Sequence, residues 1–469
     1  MPTTSGTPLR HPHHPLRRKP SVRHAALRAP ARVGEAVLAP FTEVPGPFPK
    51  RQDRQDRSFE PHATAAQARA MRWFWWDGFW GAVTESVVMN YLALFALAFG
   101  ASNSQVGFLA SFSSLFAALA FFPGARFAER FGRRRATVLA AQGGISRVLL
   151  LGFALIPFVA HGHAAVWIVI GLASLRGLWA WFSNPAWTSL TADIVPIGIR
   201  GRFLASRSFG MSLATLAAAP LAGLLIDRFS GLAGWQLVWV VAFVAGALST
   251  WCYARIAEPP SAPHEQEAAG AGDPGFFAAL GQDRNFMAYL ASLAAWNVAL
   301  YAAGPFFNVY LVRNLGASTA WVGFLGALPA FTGLAGLASF GRVMDRRGTK
   351  WVMAASALLI PALPVAWLFV TAAWQVIFIN AVSGVLWAGY NLANGNMVMV
   401  MAPPGRRARY AAASQTVTYA AAFAGPLLGG LVIALMGFHA VFALSAAGRL
   451  VAALVLLRFV HARFERPHA

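Results

Sequence analysis

The chain has 469 residues, 57% of them hydrophobic and only 12% charged, against roughly 25% charged in a water-soluble protein. Apolar stretches of about 20 residues recur along it, each long enough to cross a bilayer, and this excludes a soluble fold. The single cysteine, Cys252, excludes an intramolecular disulfide and a cysteine metal site.

Residues 1–71 are rich in Pro, Arg and His, lack periodicity, and read as a disordered basic tail without a removable signal peptide. His11, His13 and His14 belong to that tail as solvated side chains, so no metal site is expected. Met71 stands directly before Arg72-Trp73, where a compact membrane domain begins, and is read as an alternative start of translation. Six spans follow near 72–100, 105–125, 137–160, 164–192, 205–226 and 235–257. Trp73, Phe74, Trp75, Trp76, Phe79 and Trp80 crowd the start of the first and read as an interfacial aromatic anchor. Glu258-Pro259-Pro260 ends the sixth span and opens a polar linker over 258–285, in which Phe276–Leu280 reads as a short surface helix. Six more spans lie near 286–312, 319–341, 351–373, 374–400, 411–436 and 438–460, and 461–469 form a short tail.

Charge fixes the expected orientation. With both termini cytoplasmic, 33 of the 38 Lys and Arg fall on the cytoplasmic side; Arg228 and Arg313 fall outside, and Arg147, Arg176 and Arg449 lie within spans. This is the positive-inside pattern, so the net charge of +21 reports topology and not a nucleic-acid partner.

The two sets of six spans repeat each other. Val106–Leu109 and Val322–Leu325 both read VGFL, 216 residues apart, and Gly100-Ala101-Ser102 answers Gly316-Ala317-Ser318 at the same offset. Trp80 answers Trp296, and Glu129-Arg130-x-Gly132 answers Asp345-Arg346-x-Gly348. Leu178-Trp179-Ala180 then matches Leu386-Trp387-Ala388 at 208, and Pro196-x-x-x-Arg200-x-Arg202 matches Pro403-x-x-x-Arg407-x-Arg409 at 207. Pro220-Leu221-x-Gly223 matches Pro426-Leu427-x-Gly429 at 206. Parallel repeats of this kind in a hydrophobic chain build one large class of secondary transporters.

The loops Ala125–Arg134 and Gly341–Lys350 carry the pattern G-x-x-x-D-R-x-G-R/K-R/K, the second closely and the first with Ala125 and Glu129 as departures. They resemble the signature loop of the major facilitator superfamily, and the resemblance covers about residues 72–460. It implies an all-α polytopic membrane protein, with twelve transmembrane helices in two six-helix bundles and both termini cytoplasmic. Glycines at Gly132 and Gly348 allow the tight turn. The resemblance also implies a cytoplasmic gate that latches the halves and breaks on inward opening. It would be built from Glu129, Arg130, Gly132, Arg133, Asp345, Arg346 and Gly348, with Arg200, Arg202, Arg407 and Arg409 in reach. A second family element, G-x-x-x-G-P-x-x-G-G, is degenerate at Thr215–Leu224 and better kept at Ala421–Gly430, where small residues read as close helix packing.

Charges inside the spans are scarce. Glu85 lies 13 residues beyond Arg72, or roughly 20 Å deep at about 1.5 Å per residue. Arg176, Arg147 and Arg449 reach the same depth, where a charge costs about 2.5–3.5 kcal/mol and needs a partner or a wet cavity. In the implied fold the first, fourth, seventh and tenth helices line the cavity. Glu85 and Arg176 are then a proton-coupling pair or a static ion pair; Asp77 is interfacial, and Arg147 and Arg449 lie away from the cavity in structural pairings. Trp179, Ser183, Asn184, Asn297, Tyr301, Asn308, Trp387, Tyr390 and Asn391 supply cavity polarity suited to a small amphipathic molecule. The excess of arginine leans toward an anionic substrate.

No G-x-x-x-x-G-K-[ST], H-E-x-x-H or G-x-S-x-G occurs, which argues against an enzyme or an ATP-driven pump. The reading is a monomeric secondary transporter of a small organic solute in a bacterial-type inner membrane, coupled to protons and needing no cofactor. The alternatives are a multidrug/proton antiporter and a non-transporting sensor or assembly factor on the same fold.

Overall fold

The computed structural model describes residues 65–258, 282–402 and 407–461; the N-terminal tail, the linker with Phe276–Leu280, residues 403–406 and residues 462–469 lie outside them. Among the described residues there is no strand. Twelve helices are long and apolar enough to cross a membrane: α1 (Ala66–Ala98), α2 (Asn103–Ala128), α3 (Arg134–Val159), α4 (Gly162–Ile194), α5 (Ile199–Arg228) and α6 (Ala233–Tyr253) in the first half, then α7 (Arg284–Arg313), α8 (Thr319–Leu337), α9 (Thr349–Trp367), α10 (Ala373–Val398), α11 (Tyr410–Met436) and α12 (Phe438–Phe459).

The internal repeat is a repeat of capping chemistry as well as of helices. Gly100 and Gly316 both take left-handed backbone (φ +85° and +60°), which a residue with a Cβ adopts only under strain. Ser102 then caps α2, its hydroxyl accepting from Gln105 N (3.2 Å) while the Gln105 side chain accepts from Ser102 N (2.9 Å). Ser318 caps α8 in the same way, accepting from Trp321 N. Gly132 and Gly348, in the signature loops, are left-handed too (φ +61° and +86°).

Within the first half α1 packs on α5 and α6, and α2 on α4; in the second, α7 packs on α11 and α12, and α8 on α10. The halves meet through the pairs α2–α11 and α5–α8. Glycine makes both approaches possible: a Cβ on Gly107 would lie 2.6 Å from the Pro426 carbonyl oxygen, and one on Gly223 2.6 Å from Ala320 Cα. In the Ala421–Gly430 element Gly430 meets Ser104 of the first half, while Gly425 and Gly429 let α11 close on Tyr301 and Ala302 of α7 within the second.

Apolar packing is asymmetric along the molecule. At the end away from the signature loops one cluster crosses between the halves, joining Tyr91, Phe95 and Leu109 to Phe306, Val322 and Leu325. At the signature-loop end each half keeps its own cluster, around Phe74, Trp75 and Phe203 in the first and Phe286, Tyr289 and Tyr410 in the second. The polar contacts between halves follow suit. Arg313 donates to Asn103 Oδ1 (2.7 Å) and the Ala101 carbonyl (2.6 Å). Asp227 accepts from Thr319 N (3.1 Å), Thr319 Oγ1 (2.7 Å) and Ala320 N (3.0 Å), and so caps α8 from the other half. Among the described residues, the end away from the signature loops is the one fastened between the halves, while nearer the signature loops Trp181 of α4 meets Tyr419 of α11 edge-on (5.7 Å).

The aromatic start of α1 departs from the sequence reading. Phe74 and Trp75 are buried, not interfacial: Phe74 stacks on Phe203 and lies under the Arg207 guanidinium (4.4 Å), and Trp75 Nε1 donates to the Ser206 carbonyl (3.2 Å). At about 3.6 residues per turn, position 75 shares a face with Gly78 and Ala82, so the run of six aromatics cannot all face lipid.

In the second half α7 breaks at Gly304-Pro305 and α9 at Ile360-Pro361, and two helices of the first half are irregular near the charged residues. α3 contains a π segment, Leu139–Ser146, which ends immediately before Arg147. α4 breaks at Ser183, where Pro185 prevents the preceding helix from continuing.

Candidate functional site

Asp77, Gly81 and Glu85 recur every four residues on α1 and therefore share one face. Glu85 Oε1 accepts from Arg176 Nη2 at 2.5 Å and from Arg147 Nη1 at 3.2 Å. The carboxylate side chain is 46% exposed, whereas those of Arg147 and Arg176 are 4% and 10% exposed. The cations are thus built into the bundle and the anion faces open space. Toward the signature-loop end, Asp77 accepts from Ser249 Oγ (2.7 Å) and Arg207 Nη2 (3.4 Å). Asp77 is an element of the same buried charge cluster, not an interfacial residue as the sequence suggested, because the helix begins before Arg72 and carries position 77 deeper.

Arg147, expected in a structural pairing away from the central cavity, does pair with the Glu85 carboxylate, and it also lines a cavity inside the first half. The π segment supplies the reason: each π turn holds one extra residue, and one residue is about 100° of helical rotation, so the face that follows is re-aimed. Glycine clears the path. A Cβ on Gly246 of α6 would lie 2.6 Å from Arg147 Cδ, and one on Gly78 of α1 would lie 2.6 Å from Arg207 Nε. Those glycines, on the faces that carry the charges, are the signal that sequence reasoning missed.

Two cavities meet at Glu85. One, of about 380 Å³, lies within the first half between α1, α3, α4, α5 and α6, and includes Asp77, Arg147, Arg176, Asn184 and Arg207. The other, of about 510 Å³, lies between the halves and takes in Met89, Asn90, Met211, Gly326 and Ala330. Of the expected cavity residues, Asn184 lines the first. Trp179 does not. It lies in an apolar cleft of α2, α3 and α4 with Pro123 and Phe127, because Gly177, Ala180 and Trp181 take the inner face of α4.

The second-half candidates form a different structure. Tyr390 is buried and stacks on Trp296 (4.4 Å between ring centres), with Trp387 edge-on to Tyr390. Asn297 is buried and donates to the Leu293 carbonyl. Tyr301, at the repeat offset from Glu85, is partly buried against Gly425, and Asn391 is exposed. None of these lines either cavity at Glu85. Ser183 donates to the Ala180 carbonyl and Asn308 to the Asn90 carbonyl. Arg449 is buried with its guanidinium 6.0 Å from the Trp387 ring centre.

At the signature loops, Arg130, Arg133, Asp345 and Arg346 are exposed. The side chains of Glu129, Arg407 and Arg409 lie outside the described residues. Arg200 does not reach across to the other half; it donates to the Ala192 (2.6 Å) and Val195 (3.1 Å) carbonyls and closes the end of α4. The residue that ties the first loop down is Arg134, which the sequence reading passed over: it pairs with Asp193 (2.6 Å) and Glu258 (3.4 Å) and donates to Ser189.

Comparison with known proteins agrees with this architecture. The family model described as Major Facilitator Superfamily matches residues 78–337 and 285–469. The multidrug resistance protein MdtG of Proteus mirabilis is 23% identical over 382 residues, covering 80% of this chain and 91% of its own. MdtG of Dickeya zeae is 25% identical over 381 residues, covering 79% and 90%. Among solved structures, a variant of the nucleoside transporter NupG superposes with a TM-score of 0.66 at 14% identity, covering 84% of this chain and all of its own (100%). A D-xylose-proton symporter gives 0.62 at 17% identity, covering 86% and 99%. The chain belongs to the major facilitator superfamily and is a multi-pass inner-membrane secondary transporter.

Proposed function

We propose that transport is proton-coupled, works by alternating access, and uses Glu85 as the group that takes and releases the proton. The observation that carries this reading is the Glu85 carboxylate on Arg147 and Arg176, half exposed to the cavities while its partners are buried. Protonation breaks the ion pairs and changes which packing of the bundle is favoured, which is what a coupling site must do. With the signature loops on the cytoplasmic side, the fastened end faces the outside, and the latch across the signature loops belongs to an outward-open state.

A direct test uses proteoliposomes with an imposed pH gradient. Wild-type protein accumulates its substrate; Glu85→Gln retains substrate exchange and loses gradient-driven accumulation. Unchanged proton-driven accumulation in that variant removes Glu85 from the mechanism. The MdtG relatives support a second reading, export of drugs in exchange for protons. Expression of the chain in a drug-sensitive host, with growth measured against a panel of toxic compounds, tests it.

A further inference from the structure

We infer that the substrate is an amphipathic organic anion, whose carboxylate replaces Glu85 on Arg147 and Arg176 when Glu85 takes up a proton. The inference rests on the proton-coupled reading above and adds the substrate class and the order of events at the site.

The charged and titratable groups around Glu85 come from five helices. They are Asp77 on α1, Arg147 on α3, Arg176 on α4, Arg207 on α5 and Tyr253 on α6, while α8 brings only Gly326 and Ala330. Three arginines therefore face two carboxylates. With both carboxylates ionised the cavity carries one positive charge in excess, and protonating Glu85 alone raises the excess to two. A charge within the bilayer is costly without a partner, so the proton enters most readily together with an anion. A lipophilic cation would meet the opposite field.

Geometry agrees. Both guanidiniums line the cavity and aim an Nη at the Glu85 carboxylate, so a carboxylate in its place meets the same two donors. Such planar forks suit a carboxylate, which accepts two parallel bonds. Glu85 is also shared by the charged cavity and the one between the halves, which sets Ala82, Met89, Met211 and Ala330 beside Asn90 and the hydroxyls of α1 and α5. An anionic head on the arginines leaves an apolar body in that space, against methionines that adapt to its shape.

The step balances. One proton from water joins the Glu85 carboxylate, the bonds from Arg147 and Arg176 to Glu85 break, and bonds from the same guanidiniums to the substrate carboxylate form. One proton and one anion enter together, so the loaded site gains no charge. Release reverses both. Binding thus takes up a proton, and affinity falls as pH rises.

The experiment is ligand binding to purified full-length protein in detergent, followed by thermal stability and tryptophan fluorescence. The probes are 1-naphthoate, its neutral analogue 1-naphthamide, and tetraphenylphosphonium. Naphthoate is expected to stabilise wild-type protein more at pH 6 than at pH 8. It should bind Glu85→Gln about tenfold more tightly than wild type at pH 8, without pH dependence, and the gain should vanish in Glu85→Gln/Arg176→Ala. Equal binding of naphthoate and naphthamide by Glu85→Gln overturns the inference, as does tetraphenylphosphonium binding that requires Glu85. Should Glu85→Gln not fold, the wild-type comparison decides, since naphthoate binding that is absent, flat or weaker at pH 6 is refutation enough. No gradient is used, so failure here leaves the proton-driven reading to be judged by flux.

Discussion

Replacing Gly223 by alanine isolates the fastened end of the molecule from the rest of the fold. The new methyl would sit 2.6 Å from Ala320 Cα and 2.6 Å from Ala320 N, and would also meet the Thr319 carbonyl oxygen. These are backbone atoms at the cap of α8, unable to swing aside, so α5 and α8 must separate. Overpacking of this kind costs about 1–3 kcal/mol. The contact joins the two halves, so the cost falls on the conformation that is closed at this end. A penalty of about 1–3 kcal/mol moves the balance between states about 5- to 150-fold toward the one opened at this end. Spin labels on Ser230 and Asn314, exposed positions on opposite halves at that end, report the change as a longer distance population. Gly107→Ala, at the related α2–α11 contact, should act in the same direction, and the two should add. Gly171→Ala, whose methyl would meet nothing within 4 Å, is the control. A distance distribution in the double variant identical to that of Gly171→Ala would show that these glycines do not hold the state.

Asp227→Asn keeps the shape of the cross-half cap on α8 but removes its charge, and should weaken the fastened end by about 1 kcal/mol; the same spin labels measure it. Gly246→Ala places a methyl 2.6 Å from Arg147 Cδ and should displace that guanidinium from Glu85. The expected outcome is loss of proton-driven accumulation with substrate exchange retained, read in proteoliposomes. Arg134→Ala removes the cation shared by Asp193 and Glu258 and should destabilise the first half by about 1.5–3 kcal/mol, seen as a lower melting temperature in detergent.

Hydrophobic runs, the 216-residue offset and the signature loops made the fold legible, because span length and repeat order depend on sequence alone. The Glu85–Arg176 pair was legible for a related reason: an ionisable group at mid-membrane depth must find a partner. Arg147 was not. Its direction depends on a π segment, and hydrophobic periodicity at 3.6 residues per turn carries no mark of one. Trp179 and the Trp387–Tyr390 pair failed differently, since an aromatic at the right depth serves as core packing as readily as lining, and only the neighbours decide. Arg200 had carbonyls at hand within its own half, and local partners cost less chain entropy than distant ones.

The π segment also gives the drift in the repeat a meaning. Between the signature loops and the fourth and tenth helices the offset falls from 216 to 208, so the first half holds eight more residues there than the second. The surplus falls in the stretch that contains α3, a 26-residue span against 19 for α9. That is where Arg147 is aimed at Glu85, whereas the second half has Tyr301 in the place of the glutamate. After duplication, then, the twin bundles diverged both in the length of this helix and at the Glu85 position on another, so the two walls facing each other across the molecule are alike in fold and unlike in charge.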